Sequence, residues 1–102
     1  MTSPVLHFEW DPNKARTNLT KHGVAFETAA TVLQDALALT VYDEAHSEFE
    51  ERWFTIGRAS NGTLLVVVHT YESLSATEAR VRLISAREAT PRERRSYEDE
   101  PR

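Results

Sequence analysis

Leu6, Phe8 and Trp10 fall at every second position of Val5–Trp10, which predicts a short strand with those three side chains on one face. Asp11-Pro12 then reads as a helix start, because Asp caps the first free N–H groups and Pro at the first helical position sacrifices none. That helix is expected to run to His22, with Ala15, Leu19 and His22 on one side and Gly23 as its left-handed stop. Phe26, Ala29, Ala30 and Leu33 repeat at the spacing of a core-facing helix, which predicts a second one over 26–33 ending near Gln34-Asp35. A short strand is expected over Leu37–Tyr42, and the acidic run Asp43–Glu51 reads as an exposed loop.

Arg52–Ala59 is rich in aromatic and β-branched residues and predicts a strand with Arg52, Phe54, Ile56 and Arg58 on one face. Asn61-Gly62 predicts a type I′ hairpin turn into a strand over Thr63–Tyr71. Leu64 to Val68 is apolar at every position, so that strand should be buried on both faces and lie centrally. After a turn over 72–77, Glu78–Arg87 is expected to set Arg80, Arg82, Ile84 and Ala86 on one face and Val81, Leu83, Ser85 and Arg87 on the other. Thr90-Pro91-Arg92-Glu93 is a capping box opening a last helix to Tyr97 or Glu98. The order predicts an α+β fold: a small antiparallel sheet packed with two N-terminal helices and one C-terminal helix, as a single domain over 1–102 with an ordered core of about 5–98.

Composition changes this picture in two places. The absence of cysteine excludes disulfides and Cys-based zinc sites. No apolar run approaches the roughly 18 residues needed to span a bilayer, and the first residues lack the pattern of a secretory signal, so a cytoplasmic protein without membrane attachment is expected. The net charge of −4 is unevenly spread: residues 1–51 hold nine acids and three bases, whereas 52–102 hold seven acids and nine bases. Ten of the twelve basic residues are Arg. The planar guanidinium grips phosphate with two parallel hydrogen bonds, so this bias suits a phosphate site; paired with neighbouring Glu it suits an ordinary ion-paired surface equally.

Candidate chemistry follows from the same residues. No Gly-rich phosphate loop, metalloprotease helix or nucleophile-elbow motif is present, and no cofactor or metal is expected. His46 sits among Asp43, Glu48 and Glu50, but the spacing matches no known coordinating loop, and a solvated loop is the better reading. His22 is either a proton-transfer group or a helix-end residue meeting free carbonyls beside Lys21. His69, at the end of the buried strand, is either a site histidine or a hydrogen-bonded edge residue. Arg52, Arg58, Arg80 and Arg82 place guanidiniums on sheet faces, with Glu51 beside Arg52 as a candidate base. Arg87 precedes the last helix, where Arg92 and Arg95 share a side at i and i+3 and Tyr97 follows.

Several ordered segments resemble the BrnT toxin family. Phe8-Glu9-Trp10-Asp11, Asn18-Leu19-Thr20-Lys21-His22-Gly23-Val24, Phe26 and Ala29-Ala30 are similar to its start. Glu50-Glu51-Arg52 with Ile56-Gly57-Arg58 is similar to its middle; Leu64–Thr70, Arg82 to Thr90 and Glu93-Arg94-Arg95-Ser96-Tyr97 are similar to its end. One departure is Ala25, where relatives are expected to cap the second helix with Ser or Thr, a loss of about 1 kcal/mol.

The resemblance implies a RelE-like ribonuclease fold, RNA cleavage that blocks translation, and a cognate BrnA-like antitoxin with a ribbon-helix-helix domain in an assembly of two toxins and two antitoxins. DNA would then be met only through the antitoxin. The chemistry expected is metal-independent attack of the RNA 2′-OH on phosphorus. Arg82 and Arg87 are the leading catalytic candidates, then Arg52 and Arg58; His69, His22 or Glu51 would accept the proton, and Tyr97 or a histidine would donate one. Lys21, Arg80, Arg92 and Arg95 would bind the RNA. The rival reading is a non-catalytic protein-binding module using the arginine-rich sheet face. A lone DNA-binding regulator is disfavoured, because the net charge opposes nonspecific DNA affinity and no helix is expected to present a basic recognition surface free of nearby acids.

Overall fold

The local signals that begin and end helices are all spent as hydrogen bonds in the computed structural model, which describes residues 3–101. After strand β1 (Val5–Glu9), Asp11 accepts from the Asn13 N–H at 2.8 Å and opens helix α1 (Pro12–His22). Gly23, at φ 70°, closes it by donating to the Leu19 carbonyl at 2.9 Å. Helix α2 (Phe26–Ala30) has no side-chain cap at Ala25. It is also shorter than the expected 26–33, because the chain tightens into a 3-10 turn over Thr31–Gln34. Helix α3 (Pro91–Asp99) carries both halves of the capping box between Thr90 and Glu93.

The strands are β2 (Leu39–Tyr42), β3 (Trp53–Arg58), β4 (Leu64–His69), β5 (Glu72–Ser73) and β6 (Glu78–Glu88). The sheet order is β1-β6-β4-β3-β2, with β5 paired to β6 inside the expected turn. β4 is central, as its continuous apolar run requires. The sheet is mixed rather than antiparallel throughout: β1 runs parallel to β6, with Leu6 opposite Ala79 and Phe8 opposite Val81. Strand pattern alone carries no information on this point, since either direction buries the same residues. The β3–β4 turn also departs from type I′, which needs positive φ at both Asn61 and Gly62. Among the described residues no side-chain-bearing residue has positive φ, and Gly62 alone adopts it here, at 87°. Gly62 donates to the Ala59 carbonyl and Ala59 to the Thr63 carbonyl, closing a three-residue loop.

A β-bulge in β6 decides which arginines share a face. Val68 stands opposite Ser85 but His69 stands opposite Leu83, so Ile84 is an extra residue. Val81 and Leu83 before the bulge, and Ala86 after it, all enter the core beneath α1 and α2. Strict alternation would place Arg87 opposite Arg80 and Arg82. The bulge shifts the phase by one and brings all three to the second face of the sheet, where α3 packs.

The two faces hold different cores. Under α1 and α2 lie Phe26, Ala29, Val32, Leu65, Val67, Val81, Leu83 and Ala86, with Trp10 edge-on to Phe26. The second face holds Ile56, Leu64, Val66 and Tyr97. Gly57 permits the first packing, for a Cβ there would lie 2.8 Å from Val32 Cγ1. The expected apolar side of α1 is corrected in part: Ala15 packs against the core beneath it, but Leu19 and His22 do not. Leu19 is 52% exposed, and the residue driven into the core is Asn18. Its amide donates to the Val24 and Ala86 carbonyls and accepts from the Ala86 N–H, each at 2.9 Å.

Candidate functional site

The acidic segment before β3 is a tethered loop rather than a free one. It contains a 3-10 turn over Glu44–His46. Asp43 N–H donates to the Arg52 carbonyl at 2.8 Å, and Ser47 Oγ donates to the Asp43 carbonyl while accepting from Arg52 N–H. This neck carries Glu50 over the second face of the sheet and leaves Phe49 in solvent. Glu50 Oε1 there accepts from Arg82 of β6 and lies 3.5 Å from Arg52. Arg82 is held in turn from behind beside the bulge, where the Thr70 N–H donates to the Arg82 carbonyl and the Arg82 N–H donates to Thr70 Oγ1.

Two guanidiniums, one just before β3 and one on β6, thus converge on one carboxylate oxygen, and among the described residues Glu50 Oε2 accepts no hydrogen bond. Arg52 Nε–H is buried and has no hydrogen-bond partner among the described residues. The Arg52 and Arg82 side chains remain 31% and 41% exposed, so guanidinium hydrogens of this cluster are within reach of a further anion. The Arg82 hydrogen bond, working against burial, holds the Glu50 carboxyl below the ordinary glutamate range. Beside it lies a hollow of about 350 Å³ lined by Phe49, Glu50 and Arg52, and Phe49 itself is 94% exposed. Farther along the same face Arg80 is braced by Glu72 at 2.7 Å and Glu9 at 3.7 Å.

The other expected site residues lie apart from this cluster. Arg87 is spent on a two-point pair with Glu93, at 2.7 and 2.8 Å. Arg58 ends β3, about 20 Å from Arg52 at the rise of a strand. It donates to the Gly62 carbonyl and lies over the Tyr97 ring. Tyr97 is buried and donates to Asp35, a bond that raises its pKa. His69 is 1% exposed and lies on the helix side of the sheet. Its Nδ1 donates to the Thr70 carbonyl, so Nε2 accepts from Thr55, which in turn accepts from Thr40. Burial pushes this imidazole below its ordinary value. Lys21 and His22 are exposed at the end of α1, and Arg92 and Arg95 are exposed on α3 beside Asp99 and Glu100. Glu51 is exposed, whereas Glu50, which the residue pattern did not single out, faces the arginines. The signal that would have found it is the crossing of the loop to β6, which is a long-range contact. His46 meets Asp43 alone, and among the described residues no three His, Cys, Asp or Glu gather as a metal site. No helix among them is long and apolar enough to cross a membrane.

The Arg87–Glu93 pair makes a testable contribution to acid stability. Arg87 holds the Glu93 carboxyl down from 4.5 to about 2. A carboxyl lowered on folding stabilises above its unfolded pKa and loses that effect as pH falls through the folded one. Stability should therefore decline between pH 4.5 and about 2. With the Arg87 side chain 42% exposed, screening leaves this worth about 1 kcal/mol. Glu93→Gln should unfold more easily at neutral pH by that amount and show a flatter decline in acid, read by urea denaturation at each pH.

The profile of a family described as the ribonuclease toxin BrnT of type II toxin–antitoxin systems matches residues 10–93. Among solved structures, the crystal structure of the Brucella abortus ribonuclease toxin BrnT is similar, with a TM-score of 0.56 at 24% identity. The alignment covers 87% of this chain and 99% of that one. At that identity the likeness concerns the fold. None of the curated proteins matches significantly.

Proposed function

The chain belongs to the BrnT family of ribonuclease toxins of type II toxin–antitoxin systems, and from that premise we propose that it cleaves RNA on the second face of its sheet, without a metal. The observation that carries this reading is the convergence of Arg52 and Arg82 on a single anion position, with both side chains still partly exposed. In the proposed reaction the RNA 2′-oxygen attacks the adjacent phosphorus, the bond to the 5′-oxygen breaks, and a 2′,3′-cyclic phosphate and a free 5′-OH result. The two guanidiniums neutralise the charge that builds on the phosphorane oxygens, where fixed donors act most strongly. Arg80 extends the cationic track along β6.

A type II toxin implies an antitoxin partner. We take that partner to be a ribbon-helix-helix protein binding two toxins per antitoxin pair, the fold to be RelE-like, and the consequence of cleavage to be arrested translation in the cytoplasm. Docking over the arginine face would neutralise the toxin by covering its site.

Incubating the purified chain with RNA in EDTA tests the proposal. Turnover should persist and leave 2′,3′-cyclic phosphate ends, and a strand with 2′-deoxy sugars should remain intact. Stoichiometric binding without turnover would instead assign the face to protein docking. Loss of cleavage in EDTA would overturn the metal-free chemistry.

A further inference from the structure

We infer that Glu50 is the group that takes the proton from the attacking 2′-OH, and that the tethered loop over 43–51 exists to deliver it to the arginine face. The inference rests on the ribonuclease reading above and names a residue of that same site. Three observations carry it.

The first is position. Glu50 is placed by its loop between Arg52 and Arg82, the two groups suited to hold the scissile phosphate, so an acceptor stands beside the phosphate rather than across the sheet. Of the other acceptors considered, His69 is buried on the opposite face with both ring nitrogens engaged, and His22 lies at the end of α1. Glu51 is exposed, and the carboxylate that Arg82 pairs with is that of Glu50.

The second is the state of the carboxylate. Oε1 is occupied by the guanidiniums, whereas Oε2 accepts no hydrogen bond from the described residues and is open to receive a proton. Arg82 keeps the group ionised while the site is empty. When a phosphate arrives it shares the same guanidinium hydrogens, the hold on Glu50 loosens, and its basicity rises at the moment a base is needed.

The third is the neighbour. Phe49 presents an almost fully exposed ring next to Glu50. An apolar ring without protein cover is suited to stack a nucleobase, and stacking there would set the ribose over the carboxylate.

The step balances within these groups. The 2′-O–H bond breaks and its proton passes to Glu50 Oε2 as the 2′-oxygen bonds to phosphorus. The P–O5′ bond then breaks, the departing oxygen takes a proton from water on this open face, and Glu50 returns its proton to solvent.

The test compares wild type, Glu50→Gln, Glu50→Asp and Glu48→Gln on an oligoribonucleotide, measuring kcat and kcat/KM against pH. Glu50→Gln should lose about 10²- to 10⁴-fold in kcat and lose the acidic limb of the profile. Glu50→Asp should recover part of the rate and keep the limb. Glu48→Gln should behave as wild type, and matching circular dichroism spectra establish that the variants fold. In the kcat/KM profile, which reports the free enzyme, the wild-type limb should lie below the ordinary glutamate value of 4.5 and move up toward it in Arg82→Ala. If Glu50→Gln cleaves as fast as wild type or faster, Glu50 is only a phosphate mimic on the arginines and the assignment falls. Loss of rate in Glu51→Gln with Glu50→Gln active would also overturn it. A folded wild type that leaves RNA intact would overturn this assignment and the ribonuclease reading together.

Discussion

Replacing Asn18 by alanine should lower the unfolding free energy by about 3–5 kcal/mol, because it strands three buried polar groups at once. Asn18 is 5% exposed, and its amide satisfies the carbonyls of Val24 and Ala86 and the N–H of Ala86. Those partners lie on two elements: the loop after α1 and β6 just past its bulge. The side chain therefore replaces ladder hydrogen bonds that the irregular strand cannot make itself. An apolar residue of similar volume should not help, since it fills the space but leaves the backbone groups unpaired in a low dielectric. Urea denaturation followed by circular dichroism should show the loss as a lower midpoint at unchanged slope. Leu19→Ala, one residue away, is the control: with Leu19 52% exposed, it should change stability by no more than about 0.5 kcal/mol. The opposite ranking would mean that α1 packs on the face its apolar residues suggest, and that the Asn18 bridge contributes little.

That contrast shows where the sequence was legible. Asp11-Pro12, Gly23 and the Thr90–Glu93 box were readable because each acts within four residues of itself. The central place of β4 was readable because burial on two faces leaves an unbroken apolar run. Asn18 was not, since a polar residue at a core position makes sense only once Ala86, far along the chain, is known to need partners. The parallel pairing of β1 with β6 and the bulge at Ile84 are likewise products of long-range fit. The site followed the same rule. Arg52, Arg80 and Arg82 stood out by type and strand periodicity. Glu50 was hidden in an acidic run in which several carboxylates look alike, and only the fold of the loop distinguishes it from Glu48 and Glu51. Arg58 and Tyr97 also carried the right chemistry by type, but the structure engages them with Gly62 and Asp35.

The largest functional loss should come from removing both guanidiniums at Glu50. Arg52→Ala and Arg82→Ala should each lower kcat/KM by about 10²- to 10³-fold, the scale on which one fixed donor to a developing oxyanion acts. The double variant should fall short of the product of the two, because both side chains serve one phosphate and one carboxylate. Lysine at position 82 should not restore the rate, for a point charge cannot span a phosphate and Glu50 as a guanidinium fork does. The fold should survive, as the exposed part of such an ion pair is worth no more than about 1 kcal/mol. Binding of a non-cleavable 2′-deoxy strand provides a second measure: the slope of log K against log salt should shrink by about 0.7 for each phosphate contact removed. Arg58→Ala should separate the two roles of arginine here. Its guanidinium closes the β3–β4 turn and lies over Tyr97, so its loss should lower the melting temperature while leaving the salt slope intact. If Arg58→Ala instead silenced cleavage while Arg52→Ala/Arg82→Ala left it unchanged, the RNA would have to lie at the Tyr97 end of β3, and the cluster around Glu50 would be an ion-paired latch for its loop.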